Sequence, residues 1–131
     1  PANFINGRRC PQCAESIGER RVREYLQLHS IDLIQEKSFN DLIGLGGGLL
    51  RFDFYLPYIS ACIEYDGEQH FNVVKGLTSK LEFENIRKHD QIKNQYCKDN
   101  NIPLLRIPYW EFDNIETILE EWLTEHGVLK Q

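Results

Sequence analysis

Between Arg51 and His70 the chain reads RFDFYLPYISACIEYDGEQH: two apolar runs of β type, separated by Pro57-Tyr58, with acids inside them. So short a break between two such runs predicts an antiparallel hairpin. The acids constrain it further. Asp53 stands in the first run and Glu64 and Asp66 in the second, and Glu68, Gln69 and His70 follow at once. A charge buried in a strand is costly unless something pairs with it.

Alternation sorts these residues by face. Arg51, Asp53 and Tyr55 share one side of the first strand; Phe52, Phe54 and Leu56 share the other, the expected core side. In the second strand Cys62, Glu64 and Asp66 lie opposite Ala61, Ile63 and Tyr65. If the polar faces meet, Asp53 lies beside Glu64 or Asp66. Such carboxylates repel each other, and a hard cation such as Mg²⁺ relieves this. A cation held there can activate water against a phosphodiester. The pattern also allows a solvated sheet face. His70, just past the turn at Gly67, can act as acid or base near neutral pH.

The remaining segments fall around this hairpin. Ser16-Ile-Gly-Glu19 fits a capping box and opens a helix that ends near His29-Ser30. A strand is predicted over 31–36. The glycines of 44–48 form a flexible connection, not a phosphate-binding loop, since no Gly-Lys-Ser/Thr follows. After a loop over 71–79, a long helix runs over 80–99 and is stopped by Asn100-Asn101 and Pro103. A strand over 104–108 and a helix over 114–126 complete the chain. The long helix makes an ample crossover between the 59–66 and 104–108 strands, so those two strands are expected to be parallel. The order α-β-β-β-α-β-α predicts an α/β fold, a mixed sheet flanked by helices.

The long helix carries a second anomaly. Phe83, Ile86 and Cys97 mark its apolar face, and Asp90 falls in the middle of that face with Lys93 nearby; His89 falls toward Ile92 and Tyr96. An inward acid needs a partner. Lys93, Arg106 and a metal all qualify.

With 131 residues, 41% of them hydrophobic, the chain can bury one real core. No apolar run approaches the roughly 18–20 residues of a membrane span, and no secretory signal is present, so a cytoplasmic setting, in a bacterium or a phage-infected host cell, is expected. The opening PANFING lacks a Met, as in a piece of a longer protein. The formal charge is −5, and the segment from Glu111 onward accounts for all of it, with six acids against Lys130. Up to Arg23 there are five arginines against two glutamates. This polarity tempers the objection that an acidic chain avoids nucleic acid. Cys62 and Cys97 read as small buried hydrophobes. Cys10 and Cys13 form a C-x-x-C resembling half of a four-ligand zinc knuckle.

The succession SIGERRVREYL, FDFYLP, CIEYDGEQHF, HDQIKNQYCKDNNI and LLRIPY resembles the Vsr-like endonucleases of the PD-(D/E)XK superfamily, most closely the EDxHD branch with its phage-encoded homing endonucleases. The resemblance covers about 16–109. It implies a restriction-endonuclease-like α-β-β-β-α-β core, here with an extra C-terminal helix, and a divalent-metal-dependent DNA endonuclease using Mg²⁺ or Mn²⁺. Glu19 would be the first-helix acid, Asp53 the strand acid and Asp90 the helix aspartate. The family's histidine would fall on His70 or His89; alternation and the turn favour His70. Asp66 stands where the superfamily's E-x-K lysine is expected, so Lys93 or Gln69 would substitute. Cys10 and Cys13 would be the remnant of an N-terminal zinc or DNA-binding region over 1–14, with Zn²⁺ in the full-length protein, and 15–131 the nuclease domain. Double-stranded DNA is the implied partner, with a homodimer allowed. A mismatch-nicking repair enzyme and a non-catalytic nucleic-acid-binding module of the same fold are the alternatives.

Overall fold

A computed structural model of the chain describes residues 15–73 and 79–130; the Cys10–Cys13 motif, and with it the expected zinc half-site, lies outside them. Helix α1 (Ile17–Leu28) starts on the expected capping box. The Glu19 amide donates to Ser16 Oγ at 3.1 Å, and the Ser16 amide donates to Glu19 Oε1 at 2.8 Å. Strands β1 (Ile34–Ile43), β2 (Leu49–Leu56) and β3 (Ala61–Asp66) follow, then helix α2 (Lys80–Asp99), strand β4 (Leu104–Pro108) and helix α3 (Ile115–Glu125). The sheet order is β1-β2-β3-β4, antiparallel except for the parallel β3–β4 pair. The fold is therefore α/β, a four-stranded mixed sheet flanked by helices. No helix among the described residues is long and apolar enough to cross a membrane.

The first strand differs most from expectation. It starts at Ile34 and runs on to Ile43, well past the expected end at Glu36. Its polar stretch 35–41 lacks clear alternation, and pairing with β2 holds it extended. The glycines of 44–48 are the tip of this β1–β2 hairpin, where Gly47 takes a left-handed φ of 87° that suits glycine. The β2–β3 turn spans residues 57–60, longer than the two residues expected, and Ser60 there has φ 51°.

Both faces of the sheet are covered. On one, Val22 and Leu26 of α1 and Ile115, Leu119 and Leu123 of α3 bury Phe54, Leu56, Ile63 and Ile107. On the other, Cys97 of α2 packs with Leu42, Phe52 and Cys62. Phe52 and Phe54, placed on one face by strict alternation, thus lie in different clusters. Tyr55 joins Phe52 around Phe39, with ring centroids 5.8 and 6.1 Å from it. The change of side occurs at Asp53.

Gly18 fixes how closely α1 approaches β3. A Cβ there would stand 2.2 Å from Tyr65 Cζ. A Gly18→Ala variant is expected to lose about 1–3 kcal/mol from overpacking, against the gain that alanine normally brings to a helix. A thermal melt checks this; a variant melting at or above wild type would show that the ring moves freely.

Candidate functional site

The site begins where the β2–β3 ladder opens. Its last backbone pair is Phe54 opposite Ile63, so the same register sets Asp53 opposite Glu64. There side chains replace carbonyls as acceptors. The Asp53 amide donates to Glu64 Oε2 at 2.6 Å, and the Tyr65 amide donates to Asp53 Oδ2 at 2.8 Å. Each carboxylate is thereby held by the opposite strand and stays in the plane between them. Helix α1 adds a third acid, since the Glu19 that closes the capping box lines the same cavity as Asp53.

Charge accumulates at this point. Burial pushes the Asp53 carboxyl well above the usual carboxylate range; the charges of Glu64 and Glu19 push it further, against a smaller pull from the Tyr65 amide. Three carboxylates so close together favour a positive charge among them. Lys93 of α2 supplies part of that charge: its ammonium lies 2.5 Å from Glu64 Oε1 and donates to the Arg51 carbonyl at 2.8 Å. The Glu64 side chain is only 3% exposed, so its pairing with Lys93 is a buried one.

These groups line a cavity of about 390 Å³, together with Glu36, Gln69 and His70. Gln69 and Lys93 both reach the cavity, but it is Lys93 that contacts Glu64. Glu36 lies opposite Asp53 in the β1–β2 register, with a left-handed φ of 55°. Nothing in its local sequence marks it; only the pairing of β1 with β2 brings it here.

Asp66 belongs to a second, adjoining group. One step beyond Tyr65, it faces Arg106 of β4, whose Nη1 donates to both of its oxygens at 2.8 and 3.1 Å. The same nitrogen is 3.6 Å from Asp90 Oδ1 and 3.8 Å from Glu64 Oε1. His70 sits in the 3₁₀ turn Glu68–His70, with Nδ1 2.8 Å from Asp90 Oδ2 and 3.7 Å from Asp66 Oδ1. Burial opposes the imidazolium, yet the Asp90 hydrogen bond and the charges of Asp90, Asp66 and Glu64 outweigh it and raise the His70 pKa. Burial likewise opposes the Asp90 carboxylate, but His70, Arg106 and Lys93 hold its pKa below the ordinary value. The inward acid of the long helix therefore has its partners in His70 and Arg106.

His89 points elsewhere. Its Nε2 accepts the Leu45 amide at 3.0 Å and so tethers the β1–β2 hairpin tip. Of the two candidate histidines, His70 is the one that lines the cavity.

Two groups of acids therefore meet around His70 and Lys93. Glu19, Asp53 and Glu64 line the cavity with carboxylates, whose mutual repulsion a hard cation would relieve. Among the described residues, Asp66, His70 and Asp90 are the group whose ligand atoms, all within 4.8 Å of one another, are spaced so that they could hold a metal ion. There Arg106 already supplies Asp66 with a positive partner, and an ion would compete with it.

No family model matches the chain, and no solved structure matches it. The chain is 35% identical over 81 residues to "Uncharacterized protein 307L" of Invertebrate iridescent virus 6. The match takes in 61% of this chain and 41% of the viral protein, so the chain spans about two-fifths of that relative's length.

Proposed function

We propose that this chain is the catalytic domain of a divalent-metal-dependent DNA endonuclease with a restriction-endonuclease-like core, of the Vsr-like, homing-endonuclease type. One observation carries the reading. A helix acid, two acids from adjacent strands and a lysine from the opposite helix meet in one cavity, with Glu19, Asp53, Glu64 and Lys93 in those places. The element order around them agrees with such a core.

Bound there, Mg²⁺ or Mn²⁺ would lower the pKa of a water and draw charge from the phosphoryl oxygens. Glu19, Asp53 and Glu64 are the residues that would hold it. Lys93 pairs with the Glu64 carboxylate and presents a positive charge where negative charge would grow on the phosphorus centre. The Nδ1 of His70 is taken by Asp90, which leaves Nε2 to exchange a proton with the attacking water or the leaving oxygen. Asp90 positions the ring and stabilises its charged form. Double-stranded DNA is the proposed partner, and the acidic site accepts its phosphates only once cations have offset the carboxylates.

Supercoiled plasmid incubated with Mg²⁺, Mn²⁺ or EDTA tests this directly. Nicked or linear product is expected with either cation and none with EDTA. Intact plasmid under all three conditions, with DNA still bound, would leave a binding module and end the catalytic reading.

A further inference from the structure

The second group of acids is spaced for a metal of another kind. His70 Nδ1 lies 2.8 Å from Asp90 Oδ2 and 3.7 Å from Asp66 Oδ1. A tetrahedral Zn²⁺ bound at about 2.0–2.2 Å sets its ligands roughly 3.4 Å apart, a value those two distances bracket. The three residues come from three elements: the end of β3, the 3₁₀ turn and the middle of α2. Their side chains are 7, 18 and 19% exposed, so the fold holds them together, unlike acids that drift on a surface. One imidazole nitrogen and two carboxylate oxygens are ligands Zn²⁺ accepts, and three protein ligands leave a fourth position for water. Mg²⁺ prefers an octahedron of oxygens and suits the set less. Arg106 is the competitor. Its Nη1 reaches Asp66, but its Nε donates to Asn94 Oδ1 at 2.7 Å and its Nη2 to the Asp90 carbonyl at 3.4 Å. Those two anchors do not depend on the carboxylates.

We propose that Asp66, His70 and Asp90 form a Zn²⁺ site, separate from the place for Mg²⁺ or Mn²⁺ among Glu19, Asp53 and Glu64, and that filling it shuts cleavage off. The shut-off rests on the nuclease reading; the binding does not. As Zn²⁺ enters, the Nδ1 lone pair of His70 bonds to it, any Nδ1 proton passes to solvent, and Arg106 Nη1 gives up Asp66. The neutral ring then carries its hydrogen on Nε2. It has no lone pair there to accept a proton, and losing the one it holds would leave an imidazolate. The proton exchange assigned to Nε2 therefore stops.

Co²⁺ in place of Zn²⁺ reads the geometry, because a four-coordinate Co²⁺ absorbs visible light far more strongly than a six-coordinate one. The full chain carries Cys10→Ser and Cys13→Ser, so that those thiolates do not compete for the ion. One equivalent of Co²⁺ is expected to give the strong spectrum, and Zn²⁺ to bleach it. Asp53→Asn in this background should leave the spectrum as it is. His70→Gln and Asp90→Asn should each weaken binding about 100-fold, and Arg106→Ala, which removes the competing cation, should tighten it about tenfold. That gain cannot come from misfolding. A weak six-coordinate spectrum, a spectrum that survives His70→Gln, or weaker binding in Arg106→Ala would overturn the site. In Mg²⁺, Zn²⁺ should stop plasmid cleavage at the concentration that fills the site. Cleavage untouched by bound Zn²⁺ overturns the shut-off alone. Binding in the expected order of variants, with no cleavage in Mg²⁺ or Mn²⁺, keeps the site and overturns the nuclease reading.

Discussion

Asp53→Asn is expected to abolish DNA cleavage and, without metal, to make the protein harder to unfold at pH 8. Both effects come from the same carboxylate. Losing it removes a residue proposed to hold the metal, and a metal's contribution of several kcal/mol to the transition state corresponds to on the order of 10³-fold in rate. The stability effect follows from the raised Asp53 pKa. A carboxyl raised on folding is most favourable to the native state when protonated. Its penalty grows as the pH climbs from the ordinary value of 3.8 toward the raised one, and is full above it. The amide introduced by Asp53→Asn keeps an oxygen for the Tyr65 N–H and gains N–H donors for Glu19, so the variant escapes the penalty at every pH. Thermal melts at pH 5 and pH 8 read this out: the metal-free wild type loses more stability between them than the variant does. Metal should reverse the ranking. At a free concentration a hundredfold above Kd, a bound cation adds about 2.7 kcal/mol to the wild type and much less to the variant. Cleavage by Asp53→Asn at the wild-type rate, or equal stabilisation of both proteins by Mg²⁺, would remove Asp53 from the metal centre.

The parts of the site that the sequence reveals are those set by local rules. The Ser16–Glu19 capping box is a pattern of four residues, and it stands as written. The β2–β3 hairpin, the parallel β3–β4 pair and the bounds of α2 and β4 follow from short periodicities and from Pro103. What alternation alone leaves open is register. Glu64 and Asp66 share a face and look equivalent in the sequence. In the structure Glu64 turns to Asp53 and Lys93, and Asp66 to Arg106 and His70. Two residues of shift separate those outcomes, and long-range pairing decides between them. The same holds for Glu36, whose place opposite Asp53 depends on a strand that the sequence ends too early. The two clusters around Phe52 and Phe54 are hidden for a different reason. The strand stops alternating at Asp53, where the carboxylates take over the ladder hydrogen bonds, and no propensity marks that point in advance.

Lys93→Ala is the second large expectation, and its sign depends on metal. Glu64 is nearly inaccessible, and Lys93 is its closest cation; Arg106, at 3.8 Å, is already committed to Asp66. Breaking a buried pair from one side leaves an uncompensated charge, and such losses run to about 3–5 kcal/mol. In EDTA, Lys93→Ala is therefore expected to unfold at markedly lower denaturant than wild type. Glu64→Gln in the same background should recover part of the loss, because the stranded charge is gone. A bound divalent cation does the same work from the other side of Glu64. Mg²⁺ or Mn²⁺ should thus narrow the gap between Lys93→Ala and wild type. Cleavage need not follow stability. If Lys93 only counters Glu64, metal that restores the fold should restore cleavage as well. If its ammonium also meets the phosphoryl charge, kcat stays depressed by about 10²-fold or more in a protein that is folded and metal-loaded. Lys93→Arg separates size from charge, since it keeps the positive partner for Glu64 while shifting where that charge sits. A Lys93→Ala protein as stable in EDTA as wild type would show that Glu64 is not held by this pair at all.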